Sequence, residues 1–192
     1  THAHVDHFAD LYALQAALRY APDGPAAPLP LHLPDGLFGR IGAVLTEHGA
    51  RELAEAFDVR PLVAGVAFTV GDVRITPVPV DHVDPTYALV AESGSARLCY
   101  TSDTRTGPAV LAAARGASVL LAEATLPPAF ENRAPHMTPG QAADLATEAG
   151  ASTLVLTHLW PTVDRAEAGR IARERFHGRV IVADELTSID VD

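Results

Sequence analysis

The sequence predicts an α/β (α+β) fold, a mixed sheet dressed with helices, and two patterns carry that expectation. Two stretches of alternating apolar residues turn back on themselves at a glycine: "VAFTVGDVRITPVPV" around Gly71-Asp72 and "TYALVAESGSARLCYTS" around Gly94-Ser95. That is the chemistry of successive β-hairpins. After them, short continuous apolar runs alternate with helical patterns, as expected of parallel strands joined by helices and buried on both faces.

The elements follow in chain order. "FADLYALQAALRYA" puts Phe8, Leu11, Leu14 and Leu18 at helical spacing, and "PDGP" ends the pattern, so a helix is expected from about Phe8 to Tyr20. "PLPLHLPDG" gives a short extended run at Leu29 to Leu33, followed by a helical or loop region holding Leu45, Leu53 and Phe57. Beyond the two hairpins, "PAVLAAARG" reads as helix, "ASVLLAEA" as buried strand, "TPGQAADLATEAG" as helix, "STLVLTH" as strand, "DRAEAGRIARERF" as helix and "RVIVA" as strand. Thr138 is the expected cap of the helix that Pro139 begins, and Gly150 its stop. No fixed-period repeat, low-complexity stretch or linker divides the sequence, which therefore reads as one domain over residues 1–192.

Composition narrows the classes of function. The chain has 192 residues, 48% of them hydrophobic, enough to bury a sizeable core. The single cysteine, Cys99, excludes an internal disulfide framework, and nothing requires an oxidising compartment, so a cytoplasmic setting is expected. No apolar run approaches the ~20 residues that span a bilayer, and the start lacks a basic segment followed by an apolar one, so no membrane association is expected. The formal charge is -10. Arginines occur singly, and a polymer of phosphates gains much of its affinity from clustered Lys and Arg. A small anionic substrate held by a metal is favoured over a nucleic acid held by a basic groove.

The opening "THAHVDHFAD" is the densest chemical signal. In an extended segment residues two apart project to the same side, so His2 and His4 can reach one point, while Asp6 and His7, at the turn into the first helix, can face a neighbouring one. Further along, "VPVDHVDP", "LCYTSDT" and "LVLTHLWP" place His82, Asp103 and His158 just after strands. Singly, each is an ordinary turn or surface residue. Their common placement at strand ends, with the opening cluster, favours metal binding. Imidazoles and carboxylates without thiolates favour zinc, with manganese or iron as substitutes, because Cys99 lies inside a strand. His32, His48 and His177 lack such a setting and read as structural or solvent-facing.

These residues carry a family resemblance. "THAHVDH" resembles the H-x-H-x-D-H signature of the metallo-β-lactamase superfamily, and the later "DH", "SDT" and "LTH" come in the order of its remaining ligands. More narrowly, "HVDPTYAL", "YTSDT", "LLAEAT", "HMTPGQAADLA" and "LVLTHLWP" resemble the branch containing ribonuclease Z and related bacterial cyclic-nucleotide phosphodiesterases. The resemblance implies a four-layer αββα sandwich. It also implies that His2, His4 and His82 hold one zinc, that Asp6, His7 and His158 hold the other, and that Asp103 bridges them. His136, in "PHMTPGQAA", would be a catalytic histidine paired with Glu123 of "AEAT". Read from the residues alone, Glu123 ends a strand and His136 sits just ahead of a helix N-terminus, where a phosphate could also bind.

Two adjacent metals lower the pKa of a shared water toward neutrality and stabilise the attacking and leaving oxygens of a displacement at phosphorus. On that resemblance, Asp6 orients the metal-bridging hydroxide and accepts its proton, and His136, held by Glu123, stabilises charge or protonates the leaving oxygen. The expected substrate is a small phosphodiester, in the first place a cyclic nucleotide. Ribonuclease Z enzymes carry a long arm for transfer RNA between the positions matching His82 and Asp103, where this sequence has room for one hairpin only. Processing of transfer RNA is thus the second expectation. Proteins of the superfamily also have strands ahead of the first histidine motif, so the sequence is expected to be an N-terminally truncated form, and an inactive metal-binding fragment is a third expectation. Dimerisation is common in proteins of this kind, so a homodimer is an assembly the resemblance allows, while the sequence itself does not fix the oligomeric state.

Overall fold

A computed structural model describes residues 1–191. The chain divides into two compact units, Thr1–Val63 and Ala64–Asp192.

In the first unit a 3-10 turn at Val5–His7 leads into α1 (Asp10–Arg19), followed by β1 (Leu29–Leu33), α2 (Leu37–Gly42), α3 (Glu47–Ala56) and β2 (Phe57–Pro61). β1 and β2 pair in parallel, from Leu29 opposite Phe57 to Leu33 opposite Pro61. Leu33, Leu37, Ile41, Leu53, Ala56 and Phe57 form the core, and Phe8, Leu11, Tyr12 and Leu18 pack on it. Leu14, expected on the same face, is exposed at 38%. The Tyr12 hydroxyl donates to the Ile41 carbonyl at 2.9 Å, and Arg19 reaches Glu52 at 3.0 Å and also Glu55, which ties α1 to α3. Thr46 caps α3 by accepting from the Gly49 amide at 3.2 Å. The region expected as helix or loop thus resolves into two helices and a strand. Only Phe57 of β2 is buried, so "FDVRP" shows none of the alternation by which a strand is read.

In the second unit seven strands follow one another across a single sheet: β3 (Phe68–Val70), β4 (Val73–Pro79), β5 (Tyr87–Ser93), β6 (Ala96–Tyr100), β7 (Val119–Glu123), β8 (Thr153–Thr157) and β9 (Arg179–Val182). β3 to β6 pair antiparallel and β6 to β9 parallel. The parallel crossovers carry α4 (Pro108–Ala114), α5 (Pro139–Ala149) and α6 (Arg165–Arg175). Because each new strand adds on the same side, right-handed crossovers place all three helices on one face of the sheet. Val90, Cys99, Leu120 and Leu154 stand side by side in the strand register and belong to the core that the helices cover. The helices meet it through alanines: Ala113 and Ala114 of α4, Ala142, Ala143 and Ala146 of α5, and Ala168 and Ala172 of α6.

The α5 boundaries are those read from the sequence. Thr138 accepts from the Gln141 amide at 3.2 Å while the Gln141 side chain accepts from the Thr138 amide at 3.0 Å, a reciprocal cap ahead of Pro139. At the other end Gly150 takes φ +69°, the left-handed conformation that glycine adopts without strain.

Candidate metal centre

The topology brings four strand ends to one edge of the larger sheet. β4 runs antiparallel to β5 and β5 to β6, so β4 points the same way as β6, β7 and β8. Their carboxyl ends lead directly to His82, Asp103, Glu123 and His158. That is the edge at which open α/β sheets hold ligands.

The Asp103 carboxylate is the centre of this group. Its Oδ2 lies 3.8 Å from His82 Nε2, 3.7 Å from His158 Nε2 and 4.0 Å from His136 Nδ1, and the residue is 1% exposed. These separations are too long for hydrogen bonds, yet they suit atoms that each sit about 2 Å from a shared cation. Asp103, His136 and His158 together present three donor atoms within 4.8 Å of one another.

Second contacts set the ring of each histidine. His82 Nδ1 lies 2.9 Å from the Pro135 carbonyl, which can only accept, so the proton sits on Nδ1 and Nε2 carries the lone pair turned toward Asp103. Thr125 does the same for His158. Its hydroxyl donates to the His158 carbonyl at 3.0 Å and accepts from His158 Nδ1 at 2.7 Å, which again leaves the lone pair on Nε2. His158 itself holds φ +53°, outside the usual range for a histidine.

His136 is held differently. Its Nδ1 faces Glu123 Oε1 at 2.9 Å, and the fully buried Glu123 carboxylate also accepts the amides of Thr104 and Thr125, each at 3.0 Å. Three donors converge on one carboxylate. The Nδ1 proton of His136 is committed to Glu123, and this makes the ring a partner of the carboxylate more than a ligand of the Asp103 group. The Thr101 hydroxyl accepts the Glu123 amide at 3.1 Å and donates to the Ser102 carbonyl at 2.8 Å, tying the loop that carries Asp103 to the end of β7.

The smaller unit carries its own cluster. His2 Nε2 and His4 Nδ1 are 3.2 Å apart, the rings of His2 and His7 are 4.1 Å apart between centroids, and His7 Nε2 is 3.5 Å from Asp6 Oδ2. The His7 amide donates to the His4 carbonyl at 3.1 Å, closing the 3-10 turn that gathers these side chains. All the ligand-type residues singled out in the sequence thus fall into two sets, one per unit, and each set is internally assembled.

Thr101, Thr104, Thr125 and the Pro135 carbonyl were not anticipated. Thr125 in "EAT", two residues after a strand-terminal glutamate, was the one visible hint. Cys99 is no ligand, since burial in the core pushes its thiol up to about 12. Metal binding needs the thiolate. His32 is shifted down by burial first and by Arg60 second.

The residues present fit a divalent cation. Neutral imidazoles with one lone pair each, turned toward a buried carboxylate and with no thiolate among them, are the donor set of zinc and its first-row neighbours.

Comparisons with known proteins agree with this chemistry. The family description "Beta-lactamase superfamily domain" matches residues 1–159. An uncharacterised protein of Mycobacterium leprae is 32% identical over 98% of this chain and 69% of its own length. A ribonuclease Z of Nocardia farcinica is 35% identical over 85% of this chain and 59% of its own length. Among solved structures, the metallo-β-lactamase fold protein YhfI of Bacillus subtilis aligns with TM-score 0.81 and 25% identity, covering 95% of this chain and 72% of that one. With its mixed sheet and its two histidine–aspartate clusters, the chain belongs to the metallo-β-lactamase superfamily, whose members are metal-dependent hydrolases.

Proposed function

We propose that this hydrolase is a phosphodiesterase acting on a small, cyclic nucleotide, with the two ligand sets jointly holding two divalent cations. His2, His4 and His82 are assigned to one ion, Asp6, His7 and His158 to the other, and Asp103 to both. Zinc is favoured by the donor chemistry, and manganese or iron would be accepted by the same atoms. The cations would supply an activated water near neutral pH and charge stabilisation at phosphorus.

The remaining steps belong to the protein. Asp6 orients the attacking water and takes its proton. His136, with Nδ1 fixed on Glu123, presents Nε2 to the leaving oxygen and protonates it, while the buried carboxylate stabilises the positive charge the ring carries. The observation that carries the reading is this Glu123–His136 pair beside Asp103: a positioned acid adjacent to a metal-ligand set is what cleavage of a poor alkoxide leaving group needs.

Cleavage of transfer RNA is the second reading, favoured by the relatives named ribonuclease Z. Against it stand the formal charge of -10 and the short β5–β6 hairpin, which accounts for most of the chain between His82 and Asp103. The test is metal analysis with turnover of bis(p-nitrophenyl) phosphate, cyclic AMP and a precursor transfer RNA. About two metals per chain and cyclic AMP hydrolysis abolished by Asp6→Ala are expected. Fewer than one metal and no turnover in a folded sample would overturn the proposal, and preferential cleavage of the RNA would replace it with the second reading.

A further inference from the structure

Next to the His136 and His158 loops the surface carries an aromatic pair that the proposed chemistry does not use. Trp160, two residues beyond His158, and Phe130, at the end of a 3-10 turn (Pro128–Phe130) in the loop that leads to His136, stand edge to face with centroids 6.3 Å apart and planes at 60°. Both are more than two-fifths exposed, at 43% and 44%, and neither belongs to the core. Arg133 sets its guanidinium 5.8 Å from the centre of the Phe130 ring. A lone exposed aromatic is ordinary. Two that pack together, one of them under a guanidinium, on the loops of a candidate centre, call for a different account.

The loop behind Phe130 is rigidly built. Its ends are joined by the Leu126 amide on the Met137 carbonyl at 2.9 Å, and inside it the Phe130 and Arg133 amides donate to Pro127 and Phe130 at 2.9 and 3.0 Å. Gln141, already engaged in the cap of α5, uses its Nε2 to donate to Asn132 Oδ1 at 2.9 Å, and Asn132 adopts φ +60° to receive it. Trp160 starts a turn of its own, closed by the Val163 amide at 2.9 Å. The two rings are therefore presented in place before any ligand arrives, and an aromatic surface ordered in advance loses little on binding a flat partner.

We propose that Trp160 and Phe130 form a stacking platform for the base of a nucleotide whose phosphate group is held at the His136–His158 side. The inference rests on the phosphodiesterase reading for the position of the phosphate. The half-exposed indole offers area on which a base can stack, Phe130 packs against it at 60°, and Arg133 adds a cation that favours the anionic ligand. Every base has a π-face, so the platform selects nucleotides over base-free phosphodiesters without selecting among bases.

Trp160 is the sole tryptophan in the chain, so its fluorescence reports this one position. Titration of the intact protein with AMP is expected to quench it, and ribose 5-phosphate, which has the phosphate but no base, is expected to leave it unchanged. Phe130→Ala should weaken AMP binding, and Trp160→Ala, followed by calorimetry, should weaken it by about 5- to 150-fold, the range that removal of a stacking ring produces. Trp160→Phe should restore most of the affinity, which a merely structural loss would not. Equal quenching by ribose 5-phosphate, or unchanged AMP affinity in Trp160→Ala, overturns the inference. A hexa-adenylate that binds no more than a few-fold tighter than AMP keeps the base on a small nucleotide; one binding far tighter overturns that source in favour of an RNA strand. The readout is independent of turnover. Hydrolysis of bis(p-nitrophenyl) phosphate without AMP quenching sinks the platform and leaves the phosphodiesterase, whereas quenching without hydrolysis of any phosphodiester does the reverse.

Discussion

Replacing Glu123 by glutamine is the most demanding perturbation of this centre, because shape is kept and only charge and one acceptor are lost. The native carboxylate accepts three hydrogen bonds, from the Thr104 and Thr125 amides and from His136 Nδ1, with two of them on Oε1. If the glutamine oxygen takes the Oε1 place, its amino group meets the Thr125 amide, donor against donor, in a fully buried setting. Leaving such a group unsatisfied costs about 1–3 kcal/mol. For a chain of this length that lowers the melting temperature by roughly 2–12 °C. The bond to His136 survives in neutral form and loses about half of its strength. His136 then holds its added proton less well, and loss of a partner behind a reactive histidine costs about 10–100-fold. The expected result is a kcat for cyclic AMP, whose leaving group is an alkoxide, down by about that factor, with KM and metal content unchanged and the alkaline limb of the pH–rate profile moved to lower pH. Activity within twofold of the parent protein would refute the role given to the pair. Loss of metal along with activity would refute it too, since Glu123 would then act by supporting the ligands and not by holding a proton donor.

Thr125 beside the centre and Cys99 in the core carry the remaining outcomes. Thr125→Val removes the hydroxyl that fixes His158 Nδ1 while keeping the side-chain volume, so the affinity for zinc measured by chelator competition should fall about 10–100-fold with the fold intact; an unchanged affinity would show that the backbone alone orients His158. Cys99, held at about 12 against an ordinary value of 9.0, should stay unreactive toward a thiol reagent at pH 8 until the protein unfolds. Because its folded value is raised, its contribution to stability is fully present below pH 9.0 and is lost as pH rises from there toward about 12, which urea midpoints for the parent and Cys99→Ala should resolve.

The parts of the fold visible in the sequence are those written in local periodicity. The hairpin glycines Gly71 and Gly94 sit where β3 meets β4 and β5 meets β6, both at positive φ, and the alternation of apolar strand with helix from Pro108 onward is reproduced element by element. β2 was invisible because its exposed residues follow no alternation, and its place is set by pairing with β1 across two intervening helices. Leu14 shows the opposite failure. It has the right spacing for the buried face of α1, but the face is wider than the neighbouring elements cover.

The same distinction explains the site. A strand end is a local property, so His82, Asp103, Glu123 and His158 could be placed at strand ends from sequence alone, whereas their sharing one edge follows from the strand directions. What would make an edge histidine a ligand is a partner on its other ring nitrogen, and those partners lie far away: Pro135 is 53 residues from His82, and Thr125 is 33 from His158. No pattern in the chain announces a backbone carbonyl in that role, and Thr125 is marked only by its place two residues after a strand-terminal glutamate. Within these clusters the chemistry is therefore decided twice, first by short motifs that deliver the side chains and then by long-range hydrogen bonds that choose which nitrogen faces the centre. On the proposed metal assignment, a substitution at Thr125 or in the Pro135 loop leaves every motif intact and still lowers metal affinity, because the nitrogen facing the centre is no longer fixed.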